Sequence, residues 1–177
     1  MHWWMKMVEK VALLVEDMYE DLELWYPLIR MKDAGYKPVI IGSGTKDVYL
    51  SKHGYPAKPE KTVDHASTDD YVAVIIPGGF APDHMRRHPH MVDFVKKMYS
   101  KQKLVAGICH AGSMLVSANI LKGKKATSFI SIKDDVINAG ALWFDEEVVV
   151  DGNLITSRSP EDLPAFMKAI LEYLESR

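Results

Sequence analysis

Short apolar runs and helical stretches take turns along this chain, and that alternation constrains the fold more than any other feature of the sequence. Val11-Ala-Leu-Leu-Val15 is apolar throughout and ringed by charge, the pattern of a strand buried on both faces. From Glu20 to Ala34, Leu22, Trp25, Tyr26, Ile29 and Ala34 recur at helical spacing, and Gly35 supplies a stop. The pattern repeats. Pro38-Val-Ile-Ile41 ends at Gly42-Ser-Gly44, and Tyr71-Val-Ala-Val-Ile-Ile76 ends at Pro77-Gly-Gly79. Pro89 to Lys101 then carries an apolar stripe of Met91, Val92, Phe94, Val95 and Met98, and Leu104-Val-Ala-Gly-Ile108 follows. Strands alternating with helices predict a mostly parallel sheet covered on both faces, a three-layer α/β/α sandwich. Residues 48 to 63 read as an antiparallel excursion at one edge. Val148-Val-Val150 and Leu154-Ile-Thr156 read as two strands around the Asp151-Gly152 turn. Ser159 and Pro160 suit the N-cap and first position of a last helix. With 47% hydrophobic residues and no linker, residues 1–177 are expected to form one domain around one core.

The 22 Lys and Arg residues against 24 Asp and Glu give no global field that would draw the chain onto nucleic acid or an anionic membrane, so neither is an expected partner. One cysteine excludes an internal disulfide framework and a Cys-rich zinc site, and it suits a reducing, cytoplasmic compartment. Met1-His-Trp-Trp-Met-Lys6 lacks the features of a signal peptide, and Trp3 and Trp4 read as a sticky terminus or a subunit contact.

Chemistry concentrates at Val105-Ala-Gly-Ile-Cys-His-Ala-Gly-Ser113. A buried strand runs into Cys109 between small residues, and a helix begins near Ala111. This is the layout of a nucleophile elbow, with the sulfur held at a strained apex. The helix start is expected to lower the thiol pKa, and backbone N–H groups of Ala111 and of the Pro77-Gly78-Gly79 turn are expected to face an oxyanion. The histidines are His2, His53, His65, His84, His88, His90 and His110, so no base lies downstream of the elbow, as a papain-like or triad-glutaminase order requires. The base is therefore His110, an upstream histidine, or a group from another subunit.

Several motifs together carry a resemblance: Glu20-Asp-Leu-Glu-Leu-Trp-Tyr-Pro27, His53-Gly-Tyr55, Ile76-Pro-Gly-Gly79, Ala106-Gly-Ile-Cys-His110, Ser131-Ile-Lys-Asp-Asp-Val-Ile-Asn-Ala-Gly140 and Val148-Val-Val-Asp-Gly-Asn153. In these the chain resembles the PfpI family of intracellular proteases, in the wider class I glutamine amidotransferase-like superfamily that includes protein deglycases and glyoxalases. The resemblance implies a flavodoxin-like sandwich with Cys109 as nucleophile and His110 as its partner. It implies an acidic residue from an adjacent subunit, here Asp83, orienting that histidine in a homo-oligomer between dimer and hexamer. It also places Glu23 against the cysteine, with Glu20 one turn earlier as the alternative. Beside a sulfur anion, Glu23 helps only as a protonated donor, a state that burial against Trp25 or Tyr26 would favour. Phe129 stands where relatives often carry tyrosine, so a hydroxyl is missing at that place.

His84, His88 and His90 crowd one stretch, but Pro89 interrupts it and no carboxylate completes a ligand set, so no metal is expected. Pro77-Gly-Gly79 lacks nucleotide-binding spacing, so no cofactor is expected either. The expected function is a cysteine hydrolase acting on peptides, glycated proteins or small aldehydes, with oxyanion stabilisation by Gly78, Gly79 and Ala111. The alternative is a redox sensor or stress chaperone using an oxidisable Cys109.

Overall fold

The computed structural model describes residues 7–177, so Trp3 and Trp4 lie outside the described residues. The chain runs β1 (Lys10–Val15), α1 (Asp21–Asp33), β2 (Lys37–Gly42), β3 (Tyr49–Leu50), β4 (Pro56–Ala57), β5 (Lys61–Thr62), β6 (Tyr71–Ile76), α2 (Ala81–Met85), α3 (Pro89–Ser100) and β7 (Leu104–Ile108). It continues through α4 (Gly112–Ser117), β8 (Lys125–Ala126), α5 (Lys133–Asn138), β9 (Leu142–Trp143), β10 (Val148–Asp151), β11 (Leu154–Ser157) and α6 (Leu163–Glu175).

Seven strands form the central sheet in the order β10-β11-β7-β6-β1-β2-β5, parallel except where β10 runs antiparallel to β11. Helices α1 and α6 pack together on one face, and α3 joins α2 and α4 through α4 on the other. Burial on both faces explains the uninterrupted apolar strands: Val11 through Val15 are fully buried. The chain leaves β1 for β2 on one side and returns to β6 on the other, so strand order reverses at β1. In such sheets ligands bind beyond the carboxyl ends of the strands near that reversal.

Local departures from the sequence reading have identifiable causes. Only β3 and β4 form the antiparallel excursion, because β5 joins the main sheet parallel to β2. In α1 the core face is Leu24, Leu28 and Met31, while Leu22, Tyr26 and Ile29 form a second apolar stripe that faces outward. Ser159 makes no side-chain cap. Pro160 opens a single 3₁₀ turn before α6, fastened by the Arg158 guanidinium to Asp162 at 2.8 Å.

At the carboxyl edge the loops are tied together. Glu16, just after β1, accepts hydrogen bonds from Ser43, just after β2, and from Thr45. The β3–β4 hairpin is stapled over the start of α1: Leu50 O accepts from Met18 N at 2.8 Å, Tyr19 O from Lys52 N at 2.9 Å, and Asp21 from the Ser51 hydroxyl at 2.6 Å. Gly79 closes the same edge in a left-handed conformation, φ 71°, where a Cβ would lie 2.6 Å from Glu20 N and also collide with Met18 O. Gly79→Ala is therefore expected to destabilise the fold by about 3 kcal/mol or more, combining backbone strain with overpacking. Urea denaturation measures it, and a loss under about 1 kcal/mol would mean that this approach is not tight.

Candidate active site

Strand β7 ends in the elbow. Cys109 has φ 61°, a left-handed conformation that costs a side-chain-bearing residue about 1–3 kcal/mol and is kept only when its surroundings enforce it. The enforcement is visible. Phe129 N donates to Cys109 O at 3.2 Å, and the bare Cα of Gly107 admits Ala111, whose methyl would lie 3.1 Å from a Cβ there. Gly112 makes room for Ile132 in the same way.

Three side chains converge on the apex. Cys109, 7% exposed, places Sγ 3.3 Å from Nδ1 of His110. The turn's left-handed start lets neighbouring side chains meet that would otherwise diverge. Nε2 of the same imidazole lies 3.1 Å from the Ser131 hydroxyl, and its ring stacks on Phe129 with centroids 5.0 Å apart. Glu23 is fully buried beside Cys109, the two flanking the bare Cα of Gly78. Its Oε2 accepts from Gly78 N at 2.7 Å, and its buried Oε1 has no hydrogen-bond partner.

The electrostatics follow from that burial. Desolvation, reinforced by the Glu20 charge, pushes Glu23 up to about 8, against the pull of the Gly78 N–H. At neutral pH Glu23 is thus largely a carboxylic acid, with its Oε1 free of any hydrogen-bond partner. Burial first, and then the charge of Glu23 when ionised, push the Cys109 thiol up to about 12, while the backbone N–H groups of Gly79 and His110 act the other way. The lowered thiol expected from the helix start is not found. The elbow opens into one 3₁₀ turn and a six-residue helix, and burial with Glu23 outweighs it. Burial, aided by Lys52, holds His110 below its ordinary value.

Several sequence-derived assignments change. Gly78 is no oxyanion donor, since its N–H is committed to Glu23. Its role is clearance, because a Cβ there would sit 2.6 Å from Glu23 Oε2 and 2.7 Å from Cys109 Cβ. The N–H groups that face sulfur belong to Gly79 and to His110, the residue after the nucleophile, whereas Ala111 packs its methyl beneath the elbow. Glu20 is the N-cap of α1, its carboxylate accepting from Glu23 N at 3.1 Å. Trp25 does not supply Glu23's burial, for it turns to Tyr19 and packs edge-on to Tyr55, and Tyr26 is 37% exposed. Asp83 is exposed on α2 and is not among the groups bonded to His110 in its own chain. His84, His88 and His90 engage Arg87, Glu16 and Asp64 respectively, three separate partners. Ser131, which opens one of the motifs that carry the resemblance, and Lys52, which adjoins another, are site residues that the sequence reading does not single out. A cavity of about 380 Å³ lined by Tyr71, Gln102 and Tyr173 opens at the opposite, amino-terminal edge of the sheet and includes none of these groups.

A model of the DJ-1/PfpI family matches residues 9–173, nearly the whole chain. The chain belongs to the DJ-1/PfpI family. It is 45% identical over 166 residues to Deglycase PfpI of Pyrococcus furiosus, covering 94% of this chain and 99% of that one. It is 40% identical over 169 residues to YraA of Bacillus subtilis, named as a candidate cysteine protease, covering 96% and 100%. Among solved structures, a two-domain protein of Anabaena variabilis with DJ-1/ThiJ/PfpI-like and ferritin-like domains superposes with TM-score 0.92 at 45% identity, covering 94% of this chain. This chain spans about half of that protein, 48% of its length. DJ-1beta of Drosophila melanogaster superposes with TM-score 0.89 at 26% identity, covering 97% of this chain and 92% of that one. The fold is thus the flavodoxin-like sandwich of this family, and the names of close relatives support a hydrolytic enzyme. No helix among the described residues is long and apolar enough to cross a membrane.

Proposed function

We propose that this DJ-1/PfpI member is a cysteine-dependent deglycase-type hydrolase acting on reactive aldehydes and their adducts on proteins, with peptide cleavage secondary. The observation that carries the reading is the convergence of Glu23 and His110 on a sulfur held at φ 61°. Sγ attacks the aldehyde carbon and a C–S bond forms. The carbonyl electron pair moves to oxygen, facing the Gly79 and His110 N–H groups, and the thiol proton passes to Nδ1 of His110. As the sulfur loses its proton, neutral Glu23 donates to it or to the new alkoxide, and a thiolate is formed only in that company. For a 1,2-dicarbonyl, Glu23, left ionised once it has protonated the alkoxide, takes the proton from the sulfur-bearing carbon, and His110 gives the thiol proton to the neighbouring carbonyl oxygen. Glu23 then delivers its proton to the neighbouring carbon while recovering one from the first hydroxyl, leaving a thioester and a neutral imidazole. Water deprotonated by His110 hydrolyses it to a 2-hydroxy acid and free Cys109.

Two features favour aldehydes over amides: a buried acid beside sulfur, which carbon-to-carbon proton transfer uses, and an imidazole that burial keeps from charging, which amine leaving groups need charged. A redox sensor is disfavoured, because oxidation selects exposed, low-pKa thiols and Cys109 is neither. We further propose self-association, supported by the outward stripe Leu22, Tyr26 and Ile29 on α1. Sedimentation as a monomer at assay concentration would contradict it.

The activity is tested by assaying methylglyoxal and a peptide library side by side. His110→Ala is expected to lower methylglyoxal kcat about 100-fold. Unchanged turnover in that variant, or peptide hydrolysis exceeding aldehyde turnover, would overturn the reading.

A further inference from the structure

We infer that Ser131, from the same chain, is the positioning residue that holds His110 as a base. This inference deepens the proposed function and rests on it. A histidine that takes a proton at Nδ1 must carry its own proton on Nε2, and whatever accepts from Nε2 selects that tautomer and fixes the ring. In this protein Nδ1 faces Sγ at 3.3 Å and Nε2 faces the Ser131 hydroxyl at 3.1 Å, so the imidazole is bracketed between nucleophile and acceptor. Phe129, stacked on the ring at an interplanar angle of 27°, removes the remaining rotation. Ser131 sits in the 3₁₀ turn Ile130–Ile132 that precedes α5: Ile132 N donates to Phe129 O at 3.2 Å, and Ile132 packs into the space left by Gly112. The segment that carries the hydroxyl is thereby seated on the helix that follows the elbow.

The identity of the acceptor has a chemical consequence. With the thiol proton directed at Nδ1, Nε2 carries its own proton and the hydroxyl, which could also donate, accepts from it; unlike a carboxylate it adds no negative charge to stabilise an imidazolium. The charged and titratable groups that bear on His110 are Lys52 from the β3–β4 hairpin, which disfavours its protonation, and Cys109 with Glu23 behind it. Its base is therefore available at neutral pH but a weak acid-donor to amines, which matches a preference for carbonyl adducts. Both contacts to the imidazole nitrogens are made within one chain.

The test compares wild type, Ser131→Ala, Ser131→Thr, Ser131→Asp and Asp83→Asn. His110 titration is followed by NMR, Cys109 alkylation by iodoacetamide is followed against pH, and methylglyoxal turnover is measured. The first two readouts need no substrate, so they report on Ser131 even if methylglyoxal is not turned over, an outcome that would instead count against the proposed function. Ser131→Ala is expected to lower kcat about fivefold with KM within about twofold, and Ser131→Thr to recover most of it. Ser131→Asp is expected to raise the His110 titration, and with it the acid limb of kcat, by at least about one pH unit. A merely structural serine would not move that limb. The inference is overturned if Ser131→Ala and Ser131→Asp leave His110's titration and tautomer unchanged, or if Asp83→Asn perturbs them more than Ser131→Ala does.

Discussion

Replacing Cys109 by alanine is expected to reduce methylglyoxal turnover by at least about 10³-fold, because covalent attack by sulfur is the step on which the other groups act. The loss should not come from misfolding. Cys109 sits in a left-handed backbone conformation that alanine shares at similar cost, so Cys109→Ala keeps the strain and loses the nucleophile. Glycine relieves it. Cys109→Gly should be inactive yet more stable than Cys109→Ala by about 1 kcal/mol, a difference readable in urea denaturation. Equal stabilities would show that the elbow stores no strain. Methylglyoxal turnover surviving in either variant would remove Cys109 from the chemistry.

The second large effect concerns Glu23 and the pH dependence of stability. Its carboxyl is raised in the folded protein from 4.5 to about 8, mainly by burial. A group whose folded pKa is raised contributes stability that is fully present below its unfolded pKa and lost as pH rises through the folded value. Measured in a Cys109→Ala background, where no sulfur titrates beside it, a protein with Glu23 should lose stability relative to one with Glu23→Gln. The loss should run at about 1.4 kcal/mol per pH unit between roughly pH 4.5 and 8 and level off above. A flat difference across that window would mean that Glu23 is ionised throughout, and then it could not donate to sulfur.

How much of this was legible in the sequence depends on distance along the chain. The parallel sheet and the elbow were readable because their causes are local: apolar runs buried on both faces, and Cys109 lodged between a strand and small residues. The outward stripe of α1 was not, since Leu22, Tyr26 and Ile29 have the same helical spacing whether they face a core or solvent. The pairing of Gly78 N–H with Glu23 joins residues 55 apart, and Ser131 meets His110 across 21 residues; neither contact leaves a periodic trace. The direction of the thiol shift failed for the same reason. The helix start is visible in the sequence, but the burial of Cys109 and the approach of Glu23 are tertiary. The donor N–H of His110 could have been found, because the residue after the nucleophile commonly fills that place in an elbow.

Whether Glu23 meets Cys109 as an acid or as a charge decides the chemistry, and Cys109 alkylation against pH in wild type and Glu23→Leu reads it most directly. If the buried acid donates to sulfur, the leucine variant alkylates more slowly than wild type below about pH 8, where Glu23 is protonated, and faster above it, where the ionised carboxylate of wild type opposes the thiolate. If the leucine variant reacts faster at every pH, below about 8 as well as above, Glu23 acts only as a repelling carboxylate and the proposed site chemistry is contradicted.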